Sequence, residues 1–410
     1  MLSARGTAWT KYGYLHGKEN AYDPVKNPKG DVILTNAFNH DLDKNLLTYG
    51  EGYTGTLRLR SAMAKHLNRH FHPAQAIDAE EITFTAGVTN INEVCALVTC
   101  DPGEAIMLGR PIYGPFSKDF VMRTGVNLEY VSVGDTDQFS PDCIAGYEAG
   151  FEDAKARGVK IKALVICNPH NPIGKCYPRE TLAALLKFCA SNGIHLISDE
   201  IYALSVYNQD GDGSEKFTSL RAIDTSGIID PSQVHILHGM SKHQDYAAAG
   251  LRLGCVITQN KEFSKAVRAI CRFSSPSQLS MDLAAKFLED EAFVDQFLEK
   301  SRTRLHSGRA LTDKLLKEAN IEYHEKGNAG LFVWLDLSRH LDLDEVNGDE
   351  WEAEKRLSQR LTQAGVIMDT GSEYRAPRAG RFRLMFTVDE GTLREGVKRL
   401  VSSHVLVMVY

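Results

Sequence analysis

Short apolar runs alternate with amphipathic stretches over residues 55–280 and predict an open α/β sheet. Seven runs are nearly continuously apolar, which is typical of strands that are buried on both faces. They are EITFT (81–85), AIMLG (105–109), LEYVSV (128–133), ALVIC (163–167), HLISD (195–199), VHILH (234–238) and GCVIT (254–258). Helical patterns such as PRETLAALLKFCASNG, which Gly193 would end, separate the runs. Strands joined by helical crossovers predict a sheet that is mostly parallel.

The C-terminal part of the chain has a different pattern. A long helical pattern over about 285–319 is followed by three strand-like segments, AGLFVWLDL, GVIMDTG and RFRLMFTV, with helices among them. This pattern predicts a second, smaller α+β domain. We therefore expect a large domain at 48–284 and a small domain made of 1–47 and 285–410. The N-terminal segment is expected to pack on the small domain.

Composition and charge exclude several classes of protein. Of the 410 residues, 43% are hydrophobic and 24% are charged, and the net charge is -6. No basic stripe indicates nucleic-acid binding, and no apolar run reaches the roughly 18 residues of a membrane span. The eight cysteines form no CxxC pair and no spacing suited to zinc. We expect a cytoplasmic protein with reduced, mostly buried cysteines, no metal site, and neither a membrane nor a nucleic acid as partner.

Candidate binding residues follow the first two runs, because ligands of open α/β sheets bind at the carboxyl ends of the strands. After EITFT, a glycine-containing turn opens a helix, and the N–H groups of Val88, Thr89 and Asn90 favour an anion such as phosphate. A plain capped turn is the alternative. After AIMLG, the segment RPIYGPF bends the chain around Tyr113. This residue is either a stacking platform for a flat ring or a core aromatic.

The next runs end in polar side chains. The loop NPHNPIG after ALVIC requires a specific non-helical conformation, and its Asn171 can donate to an oxyanion. The segment DEIY places Asp199 at a strand end, with Tyr202 three residues further on. A carboxylate in this position is costly unless a cation or donor, such as a pyridinium N–H, pairs with it. A helix-capping aspartate is the alternative.

Lys242 follows VHILH, in the segment GMSKHQDY. A solvated surface lysine is one interpretation, and a lysine that forms an imine with an aldehyde is the other. A phosphate turn, a ring platform, an oxygen donor, a ring-nitrogen acceptor and an imine lysine would then all lie at one sheet edge. Because unrelated surface features would not be distributed in this way, we favour a single cofactor site.

Seven segments together carry a family resemblance. They are YGEGYTGTLRLRSAMAKHL, TAGVTNINEVCALVTCDPGEAIMLGRPIYGPF, VICNPHNPIGKC, LISDEIYAL, SKHQDYAAAGLRLG, NAGLFVWLDL and RFRLMFTV. In this order the chain resembles the fold-type I pyridoxal 5′-phosphate enzymes of the aspartate aminotransferase superfamily. It is most similar to their branch of 1-aminocyclopropane-1-carboxylate (ACC) synthase-like proteins. The resemblance implies the PLP-dependent transferase fold, pyridoxal phosphate as cofactor, an amino-acid-type substrate, and a homodimer with the active site at its interface.

The resemblance also implies roles for the residues around the ring. Lys242 would form the imine and carry the proton from the substrate Cα. Asp199 would pair with the pyridine nitrogen. Asn171 and Tyr202 would hydrogen-bond the phenolic oxygen, while Tyr113 would stack on the ring.

Further roles concern the phosphate and the substrate. The residues expected around the phosphate are Val88, Thr89, Asn90, Ser241 and Arg252. Tyr53 would reach the phosphate of the neighbouring subunit. Arg383 would bind the substrate α-carboxylate through a bidentate guanidinium.

Three positions depart from the branch. Gly239 stands where a serine is usual, which removes a phosphate contact that His238 or a water would have to replace. The segment from Lys242 to Arg252 is longer by two residues, as if His243 and Gln244 had been inserted.

Phe38, in NAFNHDL, is the third departure, because it replaces a glutamate that enters the pocket of ACC synthases. Phenylalanine performs no acid–base chemistry, so Phe38 argues against ACC synthase activity and for a larger or more apolar substrate. The branch resemblance and Phe38 favour a carbon–sulfur lyase that acts on a cysteine-derived adduct in secondary metabolism. An aminotransferase is the alternative.

Overall fold

A computed structural model describes residues 1–11, 25, 27–29, 50–134, 136–207, 214–242 and 248–401. Phe38, His243 and Gln244 lie outside these residues, so the expectations about them remain predictions.

The seven predicted strands form one sheet. Its strands are β1 (Ile82–Thr85), β2 (Ala105–Gly109), β3 (Asn127–Val131), β4 (Ile161–Cys167), β5 (His195–Asp199), β6 (Val234–Gly239) and β7 (Gly254–Thr258). Their order is β1-β7-β6-β5-β4-β2-β3. Strand β7 runs antiparallel to both of its neighbours, and all other neighbours are parallel. The prediction of a mostly parallel α/β sheet is therefore confirmed.

Helices cover both faces of this sheet and supply the crossovers. They are α1 (Ala4–Trp9), α2 (Leu57–Phe71), α3 (Val88–Thr99), α4 (Phe116–Asp119), α5 (Ile144–Ala156), α6 (Arg179–Asn192), α7 (Lys261–Ile270) and α8 (Gln278–Glu289). Along β4, Leu164 and Ile166 belong to one hydrophobic cluster, whereas Ala163 and Val165 belong to the cluster on the other face. This alternation explains why the strand sequence is apolar throughout.

A four-stranded antiparallel sheet forms the second unit. It consists of β8 (Glu322–Tyr323), β9 (Phe332–Asp336), β10 (Asp369–Thr370) and β11 (Arg381–Met385), in the order β10-β11-β9-β8. Its helices are α9 (Glu291–Glu318), α10 (Glu350–Gln363) and α11 (Glu390–Leu400). The three predicted strands are present, and the two-residue strand β8 was not predicted.

The described N-terminal residues pack on the large sheet layer. Helix α1 contacts α3 and α7. The Ser3 hydroxyl donates to the Leu97 carbonyl at 2.9 Å, and the Ala4 N–H donates to the Asp101 carboxylate at 2.9 Å. Residues 1–11 thus do not follow the expected packing on the small domain, because polar groups at the end of α3 bind them. The domain boundaries at residues 48 and 285 remain a prediction.

Two sequence expectations can be compared with the fold. The eight cysteines are free thiols and all are buried. Among the residues that the structure describes, none of the helices has both the length and the apolar composition needed to cross a membrane.

Candidate active site

A cavity of about 210 Å³ lies at the carboxyl edge of the large sheet. Strands β4 and β5, the segments that follow β2 and β6, and the start of α3 all contribute to its wall. The predicted residues that line it are Val88, Thr89, Tyr113, Asn171, Asp199, Tyr202, Ser241, Lys242 and Arg252. The structure therefore brings together side chains that are far apart in sequence, as expected from the strand-end rule.

One end of the cavity is suited to an anion. Gly87 caps α3 with a φ of 90° and without a side-chain hydrogen bond, so the helix N-terminus faces the cavity with its positive partial charge. Arg252 lies against it and donates to the Ala86 carbonyl at 3.3 Å. A Cβ at Gly87 would lie 2.7 Å from the guanidinium Nη2, so only glycine permits this approach.

Arg252 adopts a left-handed backbone conformation, with a φ of 52°. Non-glycine residues pay of order 1 kcal/mol or more for such a conformation, and they often lie in functional sites. The guanidinium lies at the start of α3, and Arg252 and Ser241 both line the cavity. A guanidinium, a hydroxyl and a helix N-terminus together match the chemistry of a phosphate group.

Lys242 lies between two aromatic rings at the middle of the cavity. Its Nζ is 5.9 Å from the ring centre of Tyr113 and 5.3 Å from that of Tyr202. Burial raises the pKa of the Tyr113 phenol, so this group stays protonated at neutral pH. The cavity thus holds an amine and a protonated phenol side by side.

Asp199 lies at the end of β5, where only 4% of its surface is exposed. Its Oδ1 accepts a hydrogen bond from the Ile201 N–H at 3.1 Å. Burial raises the pKa of this carboxyl from 3.8 to about 7, although the same N–H and the charge of Lys242 lower it. A buried carboxylate of this kind favours a ligand that brings a proton or a positive charge, and the ring nitrogen of pyridoxal phosphate does so.

Asn171 connects the two sheets at the cavity. Its Nδ2 donates to the Tyr202 hydroxyl at 3.4 Å, and its Oδ1 accepts from Arg383 Nη1 at 3.1 Å. Arg383 projects from β11, and its guanidinium carbon lies 4.7 Å from the Tyr374 ring centre. The predicted substrate arginine therefore lies beside the predicted cofactor residues.

Arg383 is also paired with an acidic residue that sequence reasoning missed. Its Nε and Nη2 donate to one oxygen of Asp369, at 3.1 and 2.5 Å. Asp369 stands directly opposite Arg383 in the β10–β11 register. No sequence pattern indicates this pairing, because it depends on the register of a two-residue strand.

Four predicted residues are not among those that line the cavity: Arg383, which lies beside it, and Asn90, Tyr53 and Phe38. Asn90 directs its Nδ2 to the Glu93 carboxylate at 3.3 Å. Tyr53 is half-buried, and its ring centre lies 6.0 Å from the Arg272 guanidinium carbon. Phe38 lies outside the described residues.

Asn92 and Asp119 line the cavity but were not predicted. Asn92 donates to the Asp119 carboxylate at 3.1 Å, and burial raises the pKa of that carboxyl. Asn92 lies four residues after Val88 on α3, so helical periodicity would have found it.

Gly239 lies where three elements meet closely. A Cβ there would be 3.0 Å from both the Leu253 carbonyl oxygen and Val88 Cγ2, and 3.2 Å from Ile201 Cδ1. The site therefore has little room for the serine that is usual in the branch. His238 does not replace it, because its ring is fully buried and packs edge-on against Phe71 at 5.3 Å.

Comparisons with known proteins agree with this geometry. The family model "Aminotransferase class I and II" matches residues 20–400. 1-Aminocyclopropane-1-carboxylate synthase 6 of Oryza sativa subsp. japonica is 32% identical over 357 residues, which are 86% of this chain and 64% of that protein. The probable aminotransferase gliI of Aspergillus fumigatus is 31% identical over 371 residues, 88% of this chain and 83% of that protein.

Solved structures give the fold. An aspartate aminotransferase double mutant of Thermus thermophilus superposes with a TM-score of 0.68 and 24% identity, and the match covers 85% of this chain and 83% of that chain. The chain therefore belongs to the class I and II aminotransferases, as an ACC synthase-like, pyridoxal-phosphate-dependent enzyme of fold type I.

Proposed function

We propose that this enzyme is a carbon–sulfur lyase that cleaves a cysteine-derived adduct. The observation that carries the proposal is the pair formed by Lys242 and Tyr113, an amine next to a phenol that stays protonated. Elimination from Cβ needs a base at Cα and benefits from an acid at the leaving sulfur. The two side chains supply these functions in one cavity.

The cavity residues divide between the two ends of the cofactor. The first turn of α3, Ser241 and Arg252 would hold the phosphate. Asp199 would pair with the ring nitrogen, and Asn171 with Tyr202 would bind the phenolic oxygen. When bound, the cofactor withdraws electrons from Cα of an attached amine and so acidifies the Cα–H bond.

The protein groups then move two protons. Lys242 Nζ takes the proton from Cα, and Arg383 positions that bond by holding the carboxyl end of the substrate. Tyr113 donates a proton to the departing thiolate sulfur. For an S-substituted cysteine, the overall reaction consumes one water and yields pyruvate, ammonia and the free thiol.

An aminotransferase is the second candidate. It is favoured by the fungal relative, whose name describes it as a probable aminotransferase. A transaminase would use the same lysine and the same arginine but would need a keto acid as second substrate. The two activities therefore differ in what must be added to the reaction.

The test uses the purified enzyme with S-ethyl-L-cysteine and no keto acid. Release of pyruvate, ammonia and ethanethiol in equal amounts supports the lyase. If amino-group transfer occurs only after a keto acid is added, and no thiol is released without it, the lyase proposal is wrong.

Tyr113→Phe separates the two proton transfers, because it keeps the aromatic ring and removes the acid. We expect thiol release to fall about a hundredfold, in the usual range for loss of a general acid. Exchange of the Cα hydrogen with solvent deuterium, which depends on Lys242, should persist. Equal loss of both activities would argue against Tyr113 as the acid.

We further propose that the enzyme is a cytoplasmic homodimer. Tyr53 does not reach the cavity of its own subunit, and its half-exposed ring lies near the exposed side chain of Arg272. The family resemblance, in which this tyrosine reaches the phosphate of the neighbouring subunit, supports the same role for Tyr53 here. Light scattering of the purified protein tests the dimer, and phosphate-site occupancy in Tyr53→Phe tests the contribution of this residue.

A further inference from the structure

We propose that Asp369 sets the substrate class of this site by occupying the binding edge of Arg383. The inference rests on the proposed function in one respect, since it takes Arg383 as the group that meets the carboxyl end of the substrate. With Asp369 in place, the site suits an α-amino carboxamide better than a free α-amino acid.

The contact between the two residues is side-on. One Asp369 oxygen accepts from Arg383 Nε at 3.1 Å and from Nη2 at 2.5 Å, and it also accepts from the Tyr374 hydroxyl at 3.1 Å. Side-on binding through Nε and Nη2 is one of the two edges at which a guanidinium binds a carboxylate. Asp369 therefore takes a position that an incoming carboxylate would otherwise use.

The remaining donors of Arg383 are few. A guanidinium has five N–H groups. Two are directed to Asp369 and one to Asn171, at 3.1 Å, which leaves one on each terminal nitrogen. A substrate carboxylate can still bind end-on, but it meets a cation whose charge Asp369 already neutralises.

The pair is held in place by the hairpin. Asp369 and Arg383 are cross-strand neighbours. The buried Glu354 carboxylate accepts from the Ser372 and Gly380 N–H groups, at 2.9 and 2.7 Å, and so fixes the loop between the strands. The backbone of Asp369 is therefore held opposite that of Arg383.

Exposure differs between the two partners. The Arg383 side chain is 14% exposed and the Asp369 side chain is 44% exposed. The arginine is thus held in a partly desolvated place, where a neighbouring carboxylate repels an incoming anion more strongly than it would in water.

A carboxamide can hydrogen-bond to both members of this pair, as an acceptor and as a donor. Its carbonyl oxygen accepts from the free N–H groups of Arg383, and its N–H donates to Asp369, so no like charges meet. The same holds for a peptide-type N–H that follows the cysteine-derived unit. The preferred substrate class is therefore a cysteine adduct whose carboxyl group is an amide.

The test compares L-alanine with L-alaninamide as probes of the pyridoxal-phosphate-loaded enzyme. Their dissociation constants are read from the change in the cofactor absorbance band, so no lyase turnover is required. The quantity of interest is the affinity for the acid divided by that for the amide. Differences between the two amines cancel when this ratio is compared between variants.

In Asp369→Asn we expect the ratio to rise at least tenfold, and Asp369→Ser should act in the same direction. Glu373→Gln is the matched control, because Glu373 is an exposed carboxylate in the same loop that accepts from the Thr370 N–H instead of from Arg383. It should leave the ratio unchanged. Variants are compared only if they keep the cofactor band, which shows that they fold.

Two results would overturn the inference. A ratio that stays the same or falls in both Asp369 variants means that Asp369 only orients Arg383. A wild-type enzyme that holds the cofactor but responds to neither probe would overturn the proposed function, and this inference with it.

Discussion

Charged groups are paired differently in two parts of the site. The large-sheet wall is the cavity lining from the seven-stranded sheet, and what we call the small-sheet wall is the pair Arg383 and Asp369, which lies beside the cavity and contacts its lining residue Asn171. On the wall from the seven-stranded sheet, the buried Asp199 carboxylate accepts from a backbone N–H, and the Lys242 amine lies between tyrosine rings. In the small-sheet wall, Arg383 is paired with Asp369 through two N–H groups. A buried charge with few protein contacts favours a ligand that brings the opposite charge or a hydrogen bond. A charge that is already paired within the protein binds only a ligand that can displace its partner.

This difference separates cofactor binding from substrate choice. In the proposed function, each group of the large-sheet wall would contact one part of pyridoxal phosphate. In the small-sheet wall, the ion pair of Arg383 and Asp369 would determine which substrates bind. Variation at the small-sheet wall would therefore change the substrate while the cofactor chemistry is retained.

The largest effect is expected from removal of the amine on the large-sheet wall. In Lys242→Ala we expect loss of the absorbance band of lysine-bound cofactor and a fall in turnover of at least about a thousandfold, because the covalent anchor and the base are lost together. Spectroscopy and a product assay measure the two effects. Lys118→Ala, at an exposed position on α4, should change neither. A band that persists in the Lys242 variant would contradict the assignment.

The second prediction concerns the pH dependence of stability in the cofactor-free protein. Burial raises the pKa of Asp199 from 3.8 to about 7, so the folded state keeps a proton that the unfolded chain releases between these pH values. The contribution of Asp199 to the free energy of unfolding is then largest below about pH 4 and falls by about 4 kcal/mol as the pH rises to 7. Asp199→Asn should remove this loss and be the more stable protein at pH 8. Urea unfolding of the wild-type and variant proteins at pH 4, 6 and 8 measures this difference in the free energy of unfolding.

Glu200 provides the matched comparison. Its carboxyl is fully buried, which raises its pKa from 4.5 to about 8, and it accepts from the Leu220 N–H outside the cavity. Glu200→Gln should reduce the pH dependence of the free energy of unfolding over the same pH range without weakening cofactor binding. Asp199→Asn should weaken cofactor binding. If Asp199→Asn shows the wild-type pH slope, its carboxyl is not the protonated group.

The large-sheet wall could be predicted from sequence for a physical reason. Strands buried on both faces are apolar throughout, so their ends are visible, and parallel strands bring those ends to one edge. Lys242, Asp199 and Asn171 were found in this way. Their detailed roles followed from the family resemblance and remain proposals.

The small-sheet wall could not be predicted to the same extent. Arg383 stands in a recognisable strand, but its pairing with Asp369 depends on a two-residue strand and on its register. On the large-sheet wall, the contact of Asn92 with Asp119 was missed too, because it depends on how the separate helices α3 and α4 pack together. Close approaches of this kind are set by packing in three dimensions, and hydrophobic periodicity does not record them.

The smallest effect is expected at Gly239, near the proposed phosphate site, where close packing limits the size of the side chain. Gly239→Ser would restore the hydroxyl that is usual in the branch, but its Cβ would lie 3.0 Å from the Leu253 oxygen and from Val88 Cγ2. We expect a loss of about 1–3 kcal/mol in the free energy of unfolding, as for other overpacked sites, and no gain in cofactor affinity. Gly250→Ser, where no atom lies within 4 Å of the added Cβ, is the control and should be nearly neutral. Tighter cofactor binding in Gly239→Ser would show instead that β6 moves to make room for the hydroxyl, and that packing does not exclude a serine at this position.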